Sequence, residues 1–131
     1  MIKGACHCNN IRWSFEGQIE RVTSCNCTVC RRYGGLWAYG FKDQNIIVAG
    51  TTREYVRGDA ALGFHFCGVC GCVAYWLGRF PNTDGHFRIA VNMRLALEPE
   101  HIQSIPIRHF DGLDKFEALA DDSRCVKDLW F

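Results

Sequence analysis

The sequence of 131 residues lacks several features that would assign it to a functional class at once. Its formal net charge is only +1, so it has no basic surplus of the kind that nucleic-acid-binding domains carry. No apolar run approaches the ~20 residues that span a bilayer, and the first segment, "MIKGACHC", contains no secretory hydrophobic region. We therefore expect a soluble, cytoplasmic protein with no nucleic-acid or membrane partner.

Proline and helical periodicity are also scarce. There are three prolines, and weak helical patterns occur only at residues 28–33 and 113–120. Short segments rich in aromatic and β-branched residues, bounded by Gly, Asp or Asn, fill most of the chain. They predict strands at residues 11–15, 36–41, 45–49, 53–57, 62–66, 72–77 and 86–93.

Residues 86–93 give the clearest strand pattern, because apolar side chains alternate with Arg88, Ala90 and Asn92. That alternation predicts a strand with one buried face. No linker or low-complexity run divides the sequence, and its length suits one hydrophobic core. We predict a single domain over residues 1–131, mainly β, mostly antiparallel and with little helix.

Cysteine, in contrast, is abundant, with nine residues. Disulfides are disfavoured because nine is an odd number and neighbours one or two positions apart are poor partners. In a reducing compartment, clustered cysteines bind metal more often than they form disulfides. We therefore predict metal sites rather than buried apolar cysteines. Eight of the nine fall into three clusters, namely Cys6 and Cys8, then Cys25, Cys27 and Cys30, and finally Cys67, Cys70 and Cys72.

Two pairs of these cysteines have spacings that suit zinc. Cys67 and Cys70 are separated by two residues and accompanied by glycines, which permit the tight backbone turn of a zinc knuckle. Cys6 and Cys8 alternate along a strand and need a local bend, which Gly4 is expected to ease. Together the two pairs would form a closed site with four thiolate ligands.

The remaining cluster, Cys25, Cys27 and Cys30, offers three ligands where tetrahedral zinc takes four. Three protein ligands and one open position are typical of catalytic zinc. Spacing alone leaves alternatives open. Cys72, Cys125 or a histidine could close the site, or the cysteines of residues 67–72 could form the triad themselves.

Three motifs stand out in the chain, namely "GACHC" at residues 4–8, "CNCTVCRRYGG" at residues 25–35 and "FCGVCGC" at residues 66–72. With these motifs the chain resembles the glutathione-dependent formaldehyde-activating enzyme family, also called Gfa-like or centromere protein V-like, over about residues 2–105. The sequence "LEPEHI" near residue 100 agrees with that domain, and the segment after residue 108 matches the family poorly.

The resemblance implies an antiparallel β-tent (Mss4-like) zinc-binding fold with two Zn²⁺ ions per chain. It implies that Cys72 and Cys125 have no ligand role, and that the substrates are a small thiol such as glutathione and a small aldehyde. The implied ligands are Cys6, Cys8, Cys67 and Cys70 for a structural zinc, and Cys25, Cys27 and Cys30 for a catalytic zinc.

The chemistry of a three-thiolate site agrees with that implication. Thiolates donate charge to the metal, so bound water is acidified less than on a three-histidine zinc, which argues against a hydrolase. A substrate thiol bound there would become a nucleophile able to add to an aldehyde, as in a carbon–sulfur lyase. Arg31 and Arg32 could hold a carboxylate, and Tyr33 and Trp37 could wall a pocket. The alternative function is a non-catalytic zinc module that binds proteins or senses thiols and metals.

Overall fold

The computed structural model describes residues 1–130, so Phe131, the last residue of the predicted domain, lies outside the described residues. The described chain is mainly β and contains little helix, as predicted. Its strands are β1 Ile2–Ala5, β2 Arg12–Phe15, β3 Val22–Cys25, β4 Trp37–Phe41, β5 Ile46–Ala49, β6 Arg53–Val56, β7 Leu62–Phe66, β8 Val73–Gly78, β9 Arg88–Asn92, β10 Ile107–Asp111 and β11 Glu117–Ala118. Its helices are the α-helix α1, Cys30–Tyr33, and the 3₁₀ turns Met93–Leu95, Pro99–His101 and Val126–Leu129.

The strands form two sheets. A three-stranded sheet has the order β1-β2-β5, and an eight-stranded sheet has the order β11-β10-β3-β4-β9-β8-β7-β6. Each of the seven predicted strand segments overlaps an observed strand. Pairs of these named strands are antiparallel except where β10 lies parallel to β3, with Phe110 opposite Cys25. This parallel pair brings the C-terminal part of the chain beside the second cysteine cluster. The β-tent name for this architecture stays a prediction.

Hydrophobic side chains pack on both faces of the larger sheet. Ile89 and Val91 of β9 belong to the main core, which includes Trp13 of the smaller sheet. Ala90 belongs to a second cluster with Trp37 on the opposite face. The prediction of one buried face for β9 was therefore wrong, because a central strand covered on both sides buries small residues such as Ala90 as well.

The weak helical pattern at residues 113–120 was misleading. The Asp111 carboxylate accepts hydrogen bonds from the backbone N–H groups of Asp114 and Lys115, which makes a turn after β10. Glu117–Ala118 then pairs with β10 as a short strand. The side chain of Asp111 therefore offers the backbone N–H groups a partner that competes with a helix.

Over residues 1–130, the helices are too short to cross a bilayer.

Candidate metal centres

Four cysteines from two of the sequence clusters, here called the first cluster, lie together between the two sheets. Cys6 and Cys8 follow β1 of the smaller sheet, and Cys67 and Cys70 lie between β7 and β8 of the larger sheet. All four sulfurs lie within 4.8 Å of one another. Sγ of Cys8 is 3.7 Å from Sγ of Cys6 and 3.5 Å from Sγ of Cys67. These separations fit the ~3.8 Å between sulfurs that a tetrahedral ion with Zn–S near 2.3 Å requires.

Nearby N–H groups point at the sulfurs of this cluster. The N–H of Ile11 donates to Sγ of Cys6 at 3.2 Å, and the N–H of Val69 donates to Sγ of Cys67 at 3.4 Å. The N–H of Cys70 also donates to Sγ of Cys67. This bond is the main reason that the pKa of the Cys67 thiol falls to about 5. Donors of this kind stabilise thiolates, which are the form that binds metal.

The glycines around this cluster have distinct roles. Gly71 follows Cys70 with a φ of 80° and donates its N–H to the carbonyl of Cys67 at 2.9 Å, closing the predicted knuckle. Gly4 does not ease a bend as expected. A Cβ at Gly4 would overlap the indole of Trp13, so glycine is needed there for close packing of β1 against β2.

The second cluster lies at one end of the larger sheet. Cys25 is the last residue of β3, Cys27 lies in the following turn, and Cys30 begins α1. Their sulfurs lie within 4.8 Å of one another. The N–H of Cys27 donates to Sγ of Cys25 at 3.4 Å, and the N–H of Cys30 donates to Sγ of Cys27 at 3.3 Å. Gly34 ends the helix with a φ of 63°, so the turn of the triad is closed by a left-handed cap.

The three thiols of this triad compete for protons. A hydrogen bond from Cys30 lowers the pKa of Cys25 to about 5. The same bond, together with burial, raises the pKa of Cys30. Three adjacent sulfurs cannot all ionise unless a cation compensates their charge. The triad is therefore suited to a cation such as Zn²⁺, whose binding would release the remaining protons.

The residues that spacing left as alternative ligands lie outside both cysteine groups. Among residues 1–130, neither Cys72, Cys125 nor a histidine joins either cysteine group. Cys72 packs at the edge of the main core, and Cys125 donates to the carboxylate of Asp128 at 3.3 Å. His65 is 2.9 Å from the hydroxyl of Thr52 and stacks on Tyr75. His7, between the first two cysteines, is exposed.

A loop that was not predicted from the sequence to be near the triad lies against it. The side-chain amide of Asn26, between Cys25 and Cys27, donates to Asp111 at 3.2 Å and accepts from the N–H of Leu113 at 3.0 Å. A Cβ on Gly112 would lie 2.6 Å from Sγ of Cys25. The dipeptide Asp111–Gly112 indicates a turn. Nothing local indicates that the turn contacts residues more than eighty positions away.

Two pockets flank the triad. The larger is a mostly apolar cleft of about 730 Å³, and Trp37 contributes to its lining while being buried in the second hydrophobic cluster. The smaller, of about 280 Å³, is lined by Arg31, Arg94 and His109. Cys25 and Cys30 line both pockets, so the triad lies between them.

The other residues predicted near the pocket are used locally. Arg32 donates to the carbonyl of Thr28, which lies between Cys27 and Cys30, at 2.7 Å. The ring of Tyr33 packs 5.3 Å from that of Phe64, in the cluster of hydrophobic residues behind the cleft.

The structure is thus that of a mainly β protein with two thiol-rich candidate metal centres. Comparison with known families agrees: the family model described as glutathione-dependent formaldehyde-activating enzyme matches residues 1–102. The chain belongs to this family. The match ends before β10, and so before the loop that lies against the triad.

Structural comparison supports the fold alone. A crystal structure of a Rhodobacter sphaeroides protein, solved as a structural genomics target, is similar with a TM-score of 0.61 and 21% sequence identity. The similarity covers 80% of this chain and 98% of that chain. A search of curated proteins gave no match.

Proposed function

We propose that this protein is a zinc-dependent carbon–sulfur lyase that forms and cleaves the adduct of a thiol and an aldehyde. Glutathione and formaldehyde are the pair named in the family's description. The single observation that carries the proposal is a triad of sulfurs, Cys25, Cys27 and Cys30, that lies between two pockets. In this account a substrate thiol supplies the fourth ligand.

Zn²⁺ held by these three thiolates would supply an open position for a thiol and lower the pKa of that thiol. In the forward reaction the sulfur attacks the carbonyl carbon and forms a carbon–sulfur bond. The electron pair of the C=O bond moves to oxygen, which takes up the proton that the thiol lost. The reverse reaction breaks the same bond and returns a thiol and an aldehyde.

The smaller pocket would orient a carboxylate of a peptide-like thiol. Arg94 is fixed in place, because its Nε donates to the carbonyl of Gly34 at 2.5 Å and its Nη1 donates to that of Leu129 at 3.2 Å. Arg31 is exposed and follows Cys30 directly. A guanidinium in this position favours an anionic group and offsets the negative charge of the triad.

The four-cysteine cluster would hold a second, structural Zn²⁺. Cys6 and Cys8 lie between β1 and β2 of the smaller sheet, whereas Cys67 and Cys70 lie between β7 and β8 of the larger sheet. An ion bound to all four would cross-link the two sheets, so that residues 1–131 fold as one domain. A cytoplasmic location follows from this proposal, because a reducing compartment keeps thiols available for metal.

The proposal predicts that the protein accelerates exchange between free aldehyde and thiol adduct. Exchange NMR with ¹³C-formaldehyde and glutathione measures that rate without a coupling enzyme. We expect the zinc-loaded protein to accelerate exchange and Cys27→Ser to lose at least about 100-fold, as variants that weaken a metal centre do. Cys125→Ser is the matched control, since Cys125 belongs to neither cluster. Equal acceleration by Cys27→Ser, or none by the wild type with any thiol, would overturn the proposal.

A further inference from the structure

We propose that the large cleft beside the triad binds an apolar side group on the aldehyde. The preferred substrates would then be thiol adducts of arylalkyl or medium-chain aldehydes rather than of formaldehyde. This inference rests on the proposed function and names the substrate class of that same site. Four observations carry it: the size of the cleft, its lining, the charges at its rim and the origin of one wall.

The cleft has a size and a lining that formaldehyde does not need. Its volume of about 730 Å³ falls within the ~300–1,000 Å³ of clefts that enclose drug-sized ligands. Formaldehyde has no side group to fill such a space. Most of its lining is apolar or aromatic and includes Trp37, Phe64, Trp76, Phe110, Leu113 and Phe116.

The floor and the mouth of the cleft differ in exposure. Trp37, Phe64 and Trp76 are buried and belong to the second hydrophobic cluster, which also contains Cys30. At the mouth, Leu113 is 60% exposed and Phe116 is 77% exposed. A rigid aromatic floor fixes the shape of the cleft. A ligand that covers the exposed apolar side chains at the mouth removes them from water, which favours binding.

The charges also favour an apolar occupant for this side of the triad. Arg57 and Asp59, of opposite sign, line the cleft. The smaller pocket contains two arginines, Arg31 and Arg94. A carboxylate-bearing thiol is better placed in the smaller pocket. The new carbon–sulfur bond would then lie at the triad, with the aldehyde's side group in the cleft.

One wall of the cleft comes from the part of the chain that the family model does not match. Phe110, Leu113 and Phe116 lie beyond residue 102, and the rings of Phe110 and Phe116 are T-shaped at 5.0 Å. Asn26, inside the triad, holds this loop through its bonds to Asp111 and Leu113. A loop fixed to the reactive centre but outside the family match is placed to set substrate preference.

A binding experiment tests the cleft without relying on catalysis. The probe is 3-phenylpropan-1-ol, an unreactive mimic of an arylalkyl aldehyde, titrated into zinc-loaded protein. Tryptophan fluorescence and saturation-transfer NMR report binding, since Trp37 and Trp76 line the cleft. We expect Leu113→Asp to weaken binding about tenfold, as loss of apolar contacts in a pocket does. Phe116→Ala should weaken it severalfold.

Leu97→Asp is the matched control. Leu97 is also a leucine with 60% exposure, but it lies beside β1, with its N–H bonded to the carbonyl of Lys3. It should leave the affinity for the probe within about twofold of the wild type, because it removes no contact in the cleft. No binding by the wild type, or equal loss in Leu97→Asp and Leu113→Asp, would overturn the inference.

The rate of adduct exchange with glutathione separates this inference from the proposed function. We expect kcat/KM to be higher for 3-phenylpropanal than for formaldehyde, and this ratio to fall about tenfold in Leu113→Asp. Acceleration with formaldehyde but a ratio that favours formaldehyde and ignores Leu113→Asp would overturn the inference and leave the proposed function standing. Probe binding that Leu113→Asp weakens, with no acceleration for either aldehyde, would support an apolar occupant and overturn the proposed function.

Discussion

The two cysteine clusters use similar local chemistry in different surroundings. In both, backbone N–H groups donate to sulfur and the sulfurs lie within 4.8 Å of one another. The first gathers four sulfurs from two distant segments and joins two sheets. The second gathers three sulfurs from one turn and faces two pockets. If the proposed function holds, ligand number and setting, more than ligand type, separate a structural centre from a reactive one.

The largest effect should come from breaking the first cluster. Cys6→Ser removes a buried ligand at the junction between the sheets. We expect the variant to lose the structural ion and to unfold, or to lose several kcal/mol of its free energy of unfolding, because binding energy at such a site is folding energy. Urea denaturation followed by circular dichroism measures this loss.

Cys27→Ser tests the difference between the two clusters, because it removes one of the three cysteines of the triad. Its free energy of unfolding should fall by less than that of Cys6→Ser, because the triad draws its ligands from a single turn. Equal destabilisation by the two variants would contradict the division into structural and reactive centres.

The next largest effect should come from Gly112→Ala. A Cβ at this position would lie 2.6 Å from Sγ of Cys25 and 2.9 Å from Cβ of Cys27, so the loop or the triad has to shift. We expect metal affinity at the triad to fall about 10- to 100-fold, as when the supporting shell of a metal centre is disturbed. Competition with a chromophoric chelator measures this affinity. The four-cysteine centre of the same variant is the internal control, and loss of both ions together would count against the account.

A smaller effect should follow Asn26→Ala, which removes the hydrogen bonds to Asp111 and to the N–H of Leu113. The loop should open more often, so the amide of Leu113 should exchange its hydrogen faster. Hydrogen exchange followed by NMR reports this change.

Asn10→Ala is the equivalent change beside the first cluster, where the Asn10 amide donates to Sγ of Cys67 and to the carbonyl of Thr51. It should leave the amide exchange of Leu113 unchanged. If Asn10→Ala and Asn26→Ala speed that exchange alike, the loop is not fixed through Asn26.

Local patterns predicted much of the fold, whereas the grouping of the cysteines came from the family resemblance, because spacing alone left alternatives open. Alternating and β-branched segments mark strands because a strand places successive side chains on opposite faces. The burial of Ala90 could not be predicted, because it depends on which neighbours cover the second face of β9. The turn at Asp111 could be predicted, but its contact with Asn26 depends on the parallel pairing of β10 with β3, which no local pattern encodes.

The central claim is that the triad forms a metal centre of its own, distinct from the four-cysteine centre. Native mass spectrometry with elemental analysis, on the wild type and on Cys27→Ser, tests it most directly. We expect two Zn²⁺ per folded wild-type chain and one per folded Cys27→Ser chain. A single Zn²⁺ in both proteins would contradict it and would favour a binding or sensing module over a lyase.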